Sequence, residues 1–158
     1  MASTFVSRLV WSGALQPARD AATFSRDLNV SFGGVRLPMS AAPDFRGDRS
    51  RANPEQLFVA SISACQALTY LFLAARSGLA IVSYADDAEG VLGSVDGKTR
   101  MYRVTLRPRI SIAAGSNEGL ARELVEKAHQ GCFIANSVSA VVQIEPRIVA
   151  ADLCSESA

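Results

Sequence analysis

Two cysteines, one carboxylate and a short run of arginines are the residues of this chain best suited to chemistry. Cys65 sits inside "NPEQLFVASISACQALTYLFLAA", an almost wholly apolar stretch over residues 53–75 introduced by Asn, Pro and Glu. Cys132 lies in "AHQGCFIANSV". A thiol in such a stretch has two readings. Unbonded cysteine is among the most buried residue types and often serves only as a small core hydrophobe. A thiol held as thiolate is instead a nucleophile, and an ordinary thiol, with a pKa of about 8.5, is mostly protonated at neutral pH. A guanidinium within a few ångströms favours the ionised sulfur. The polar loop "SAAPDFRGDRSRA", over residues 40–52, carries Arg46, Arg49 and Arg51 and leads directly into the apolar stretch, which makes it a candidate site wall. His129, the only histidine, stands near the end of a surface-periodic helix, where facing solvent or complementing the helix dipole explains it better than base catalysis.

The elements that must hold these residues can be read from pattern and punctuation. Asn53 as N-cap, Pro54 at the first helical position and Gln56 three residues after the cap predict a long helix, and Gly78 stops it. Along it Glu55, Phe58, Ile62, Cys65, Thr69 and Phe72 recur at three- and four-residue steps, so Cys65 shares a stripe with Glu55, and most of that stripe is expected to be core. Upstream, "STFVSRLVW" and "ATFSRDLNVSF" read as a hairpin, with "GGVRLPM" adding a short strand. Downstream, "LAIVSYADDAEGVL" and "TRMYRVTLRPRISIAA" predict two long antiparallel strands turned by Asp96-Gly97. Ser116 is expected to cap a helix "NEGLARELVEKAHQ" with Leu120, Leu124, Val125 and Ala128 as its apolar face, ended by Gly131. "CFIANSVSA" reads as a short helix and "VVQIEPRIV" as one last strand.

Composition narrows the setting. A chain of 158 residues, 49% hydrophobic and 20% charged, is globular. With no internal repeat or linker it reads as a single domain, residues 1–158, with a core about 5–149 and a frayed tail at 150–158 that holds Cys154. A net charge of +1 without a basic stripe argues against nucleic acid and anionic membrane surfaces as partners. Three cysteines are an odd and sparse set that matches neither a disulfide framework nor a zinc pattern, which favours a reducing cytosol. "MASTFVSRLVWSG" has no signal-peptide pattern, so a cytoplasmic location is expected. Residues 57–75 are nearly long enough to span a bilayer, but Ser61, Ser63, Gln66, Thr69 and Tyr70 interrupt them, and a buried core helix is the expectation.

The order of elements, with "NPEQLFVASISAC" and "AHQGCFIANSV" as its most specific parts, resembles the OsmC/Ohr superfamily of osmotically induced and organic hydroperoxide resistance proteins. The resemblance spans roughly residues 11–149. It implies an α+β fold with antiparallel sheets wrapped around long central helices in an intertwined homodimer, the sites lying at the subunit boundary. It also implies a cysteine-based peroxidase that reduces organic hydroperoxides, with Cys65 reactive, Cys132 resolving through a disulfide, and a dithiol as reductant. Neither a metal nor a bound organic cofactor is implied.

A family arginine near the reactive sulfur would be held by Glu55, whose plain alternative is to complement the helix dipole. Arg46 in "DFRGD" is the first choice and Arg26 in "FSRDL" the second, with Arg19, Arg49 and Arg51 also in reach of the pattern. Phe58, Ile62, Leu68, Phe133 and Ile134 would form an apolar substrate mouth. Gln66 and Phe133 stand where many hydroperoxide reductases have an aromatic or His and a Pro, which resembles the OsmC-like branch. A different class of function also fits: a non-catalytic dimer that binds an apolar small molecule or senses redox state.

Overall fold

A computed structural model describes residues 2–13 and 23–151, so Arg19 and Cys154 lie outside the described residues, as does the tail from 152. The chain is described as two compact units, 1–57 and 58–158.

In the first unit, β1 (Arg8–Val10), β2 (Leu28–Phe32) and β3 (Val35–Met39) form an antiparallel sheet in that order. Gly33 and Gly34, at φ 54° and 80°, supply the two left-handed positions that a tight β2–β3 hairpin requires. The second strand starts later than its sequence suggests because the residues before Leu28 use their polar groups locally. Arg26 donates to the Phe24 carbonyl at 3.0 Å and Asp27 N–H donates to Ser25 Oγ at 3.2 Å. The arginine loop is also folded on itself. Asp48 accepts from Ser50 N–H, the Ser50 hydroxyl and Arg51, at 2.9, 2.7 and 3.3 Å.

The helix α1 (Pro54–Arg76) starts as its sequence predicts. Asn53 Oδ1 accepts from Gln56 N–H at 2.9 Å and Gln56 Oε1 accepts from Asn53 N–H at 3.1 Å, a complete capping box. Gly78, at φ 68°, ends it. The buried stripe differs from the one expected: α1 buries Ile62, Gln66, Tyr70 and Ala74, whereas Phe72 is 58% exposed. The helix is long and apolar enough to cross a membrane, and only 22% of its apolar window is buried within one chain.

In the second unit the two long strands expected around Asp96-Gly97 are four: β4 (Ile81–Asp86), β5 (Glu89–Val95), β6 (Lys98–Leu106) and β7 (Pro108–Ala113). The last strand is likewise two, β8 (Val141–Ile144) and β9 (Arg147–Ala151). Each long run changes sheet midway, giving one sheet ordered β4-β7-β9 and another ordered β5-β6-β8. Both are mixed, since β7 pairs with β9 and β6 with β8 in parallel. The cause is chemical. Pro108 and Pro146 cannot donate to a ladder, and Arg107 ties the corner. Its N–H donates to Asp86 Oδ1 at 2.6 Å, and its guanidinium meets Glu89 at 3.2 Å and Glu145 at 3.1 Å. The β5–β6 turn is as predicted, with Asp96 and Gly97 both at positive φ.

Between β7 and β8 lies α2 (Glu118–Gln130). Its cap is Asn117 rather than Ser116, with Oδ1 accepting from Leu120 N–H at 3.0 Å. Its buried face, Ala121, Leu124, Val125 and Ala128, packs in one core cluster with Tyr70 and Ala74 of α1 and with Ile110, Ile112 and Ile148 of the sheet. A second cluster joins Ile62 to Val104 and Leu106, with Phe58 against it.

Candidate active site

The two helices deliver the cysteines to one place. Cys65 is half-buried on α1, and Thr69, one turn on, donates its hydroxyl to the Cys65 carbonyl at 2.8 Å. Cys132 follows the end of α2 at Gly131 and is fully buried. The chain then closes a tight turn around its sulfur. Asn136 N–H donates to the Cys132 carbonyl at 3.0 Å, Ala135 N–H points at Cys132 Sγ from 3.5 Å, and the Ser137 hydroxyl donates to the Phe133 carbonyl at 2.7 Å.

This turn sets the electrostatics of the pair. Burial pushes the Cys65 thiol up, but hydrogen bonds to its sulfur from Ile134 N–H, the Cys132 thiol and Phe133 N–H outweigh that and hold it below the ordinary thiol range. For Cys132, burial raises the thiol; Ala135 N–H pulls it back, yet its own donation to the Cys65 sulfur keeps it high. The two shifts run in opposite directions, so Cys65 is the more readily ionised of the pair. The backbone donors at 133 and 134 were not foreseen from sequence, and the only available signal was the short turn following Gly131-Cys132.

Beside Cys65 lies a cavity of about 660 Å³ lined by Leu68, Phe72, Leu73 and Phe133, with Lys127 as its one charged lining residue. Lys127 pairs with Glu123 at 2.5 Å. Of the five expected mouth residues, Leu68 and Phe133 line this cavity and Ile134 turns its N–H to the sulfur. Ile62 is 0% exposed and Phe58 packs against it, so these two belong to the core beside Val104 and Leu106.

Arg26 and Arg46 come together in the first unit, lining a cleft of about 490 Å³ with Trp11, Phe24 and Phe45. The Arg26 guanidinium lies 4.4 Å from the centre of the Phe24 ring. Arg46 has a left-handed backbone at φ 64°. Arg51 meets Asp27 at 3.5 Å and Asp48 at 3.3 Å. Glu55, on the first turn of α1, has one carboxylate oxygen buried without a hydrogen-bond partner. His129 is half-buried rather than turned to solvent, beside Glu126 and Glu145. Among the described residues no group of three or more His, Cys, Asp or Glu side chains is arranged to hold a metal.

The sequence model of the OsmC-like protein family matches residues 47–147, which contain both cysteine segments. This chain belongs to the OsmC family. A solved OsmC-like protein of unknown function from Vibrio cholerae O1 biovar eltor is similar to it at 31% identity and a TM-score of 0.84, over 92% of this chain and 99% of that one. An organic hydroperoxide resistance protein from Elizabethkingia anophelis shares the fold at 19% identity and a TM-score of 0.70, over 96% and 99% of the two chains. Among curated proteins, human coiled-coil domain-containing protein 15 matches at 31% identity over 119 residues, 75% of this chain and 12% of that protein. This OsmC-family chain thus spans a small part of that relative's length. The α+β architecture implied by the two cysteine segments is the one found, with each of the second unit's sheets mixed by one parallel pair.

Proposed function

We propose that this OsmC-family protein is a thiol-dependent peroxidase that reduces organic hydroperoxides. The observation that carries the reading is the pair of free cysteines at one place, Cys65 on the wall of an apolar cavity with its thiol held low and Cys132 fully buried with its thiol pushed up. Cys65 thiolate attacks the terminal oxygen of ROOH, the O–O bond breaks, and RO⁻ takes a proton to leave as the alcohol. The resulting Cys65 sulfenic acid is attacked by the Cys132 sulfur, releasing water and forming a disulfide. A dithiol then reduces that disulfide by exchange and is itself oxidised. A reducing cytosol suits such a cycle.

By the family resemblance, Arg46, with Arg26 as second choice, supplies the guanidinium that steadies the departing alkoxide, and Glu55 orients it. A second copy of the chain covers the exposed apolar face of α1, making a homodimer. Leu68, Phe72 and Phe133, at 69%, 58% and 80% exposed, form an apolar surface of the kind that marks an interface or a ligand site.

An apolar mouth favours alkyl and aryl peroxides. Removing ~100 Å² of apolar surface from water contributes about 2.5 kcal/mol, which hydrogen peroxide does not gain. Stopped-flow consumption of cumene hydroperoxide by the reduced protein should exceed that of hydrogen peroxide by about tenfold to a hundredfold in kcat/KM. Cys65→Ser should bring both to the background rate with the fold intact. Parent-like turnover by Cys65→Ser would end the peroxidase reading. The cavity's size and apolar lining also suit a module that binds an apolar small molecule; in that case apolar ligands raise the melting temperature and neither peroxide is consumed.

A further inference from the structure

The residue next to Cys65 has no part in the cycle above, yet it is one of the few polar side chains in the core. Gln66 is 1% exposed, within the stripe that α1 buries. Its Nε2 donates to the Val125 carbonyl of α2 at 3.1 Å, while its Oε1 has no partner. A buried amide is costly unless hydrogen-bonded, and this one is only half satisfied, so Met or Leu would fill the same space at less cost.

What the amide adds is direction. The apolar contacts of Leu124, Val125 and Ala128 against Tyr70 and Ala74 hold α2 on α1, but burial of apolar area does not depend on direction and allows sliding. A hydrogen bond to one carbonyl fixes the axial register. That register matters because Cys65 is the residue before Gln66, while Cys132 follows the end of α2 by two residues. A disulfide accepts little error, with an S–S bond of about 2.05 Å and Cβ atoms ~3.5–4.5 Å apart.

We propose that Gln66 is a positioning residue that sets the register of α2 on α1 and thereby the closure of the Cys65–Cys132 disulfide. It rests on the pairing of those two cysteines in the proposed function, but not on the identity of the oxidant.

The test therefore uses no peroxide. Reduced protein is equilibrated with mixtures of oxidised and reduced dithiothreitol; the two protein thiols give two electrons and two protons to the cyclic disulfide, which opens to the dithiol. After an acid quench and alkylation, mass spectrometry counts the disulfide. Gln66→Met and Gln66→Leu should each lower the equilibrium constant for the protein disulfide by about tenfold, a rise in reduction potential of about 30 mV. Ile110→Val, which loosens the same core cluster without touching the hydrogen bond, should lower the melting temperature and leave the potential in place.

A parent-like potential in both Gln66 variants overturns the proposal, as does an equal shift in Ile110→Val. If the parent cycles in dithiothreitol but consumes no hydroperoxide, the peroxidase reading falls and the positioning role stands. If the parent forms no Cys65–Cys132 disulfide, both fall.

Discussion

Cys65 and Cys132 are the same side chain given opposite tasks by their surroundings. One is half-exposed with backbone N–H donors at its sulfur, and the other is fully buried and donates its proton to the first. The difference predicts a pH profile. Alkylation of Cys65 by iodoacetamide should rise with pH as the thiolate forms and reach its half-point at a lower pH than an unperturbed thiol does. Cys132, whose thiol is pushed up, should stay unmodified through that window. Peptide mapping after timed alkylation distinguishes them, and equal labelling of both would contradict the assignment. The two cysteines were legible because their flanking segments are specific. The donors from Phe133 and Ile134 were not, since a backbone N–H leaves no mark in side-chain identity and its direction depends on the turn after Gly131. Phe58 and Ile62 were expected at the mouth because periodicity shows which residues share a face but not what the face meets. On a helix as apolar as α1, that choice belongs to tertiary packing.

At the scale of elements, punctuation proved more informative than strand length. The capping box of α1 was readable in full, and its removal is measurable. Asn53→Ala should lower the unfolding free energy by about 0.5–2 kcal/mol, while Asn53→Ser should recover most of it, as followed by urea denaturation. No loss in Asn53→Ala would mean that the cap is replaced by other partners. The glycine turns at Gly33-Gly34 and Asp96-Gly97 were equally legible because only residues tolerant of positive φ fit them. The strand breaks were not. Extended, alternating sequence continues through residues 86–89 and 106–108, and the halves separate only because of two prolines and the partners of Arg107. Nothing local in the sequence announces that Asp86, Glu89 and Glu145 meet one arginine.

At the scale of the molecule, the long apolar helix is far less covered by its own chain than expected. The proposed dimer makes a clear forecast. The parent should sediment at about twice 16.8 kDa, and Phe72→Glu, which puts a charge on the exposed face, should shift it to monomer. A parent that stays monomeric at micromolar concentration with native secondary structure would refute the assembly. The corner at Arg107 has its own consequence at this scale. Because β4–β5, β6–β7 and β8–β9 run directly, and β7–β8 through α2, from one sheet into the other, the two sheets of the second unit are joined by four covalent crossings. Neither sheet can open without pulling on strands that belong to both, so their amide protons should share one opening free energy and exchange with solvent as a single foldon.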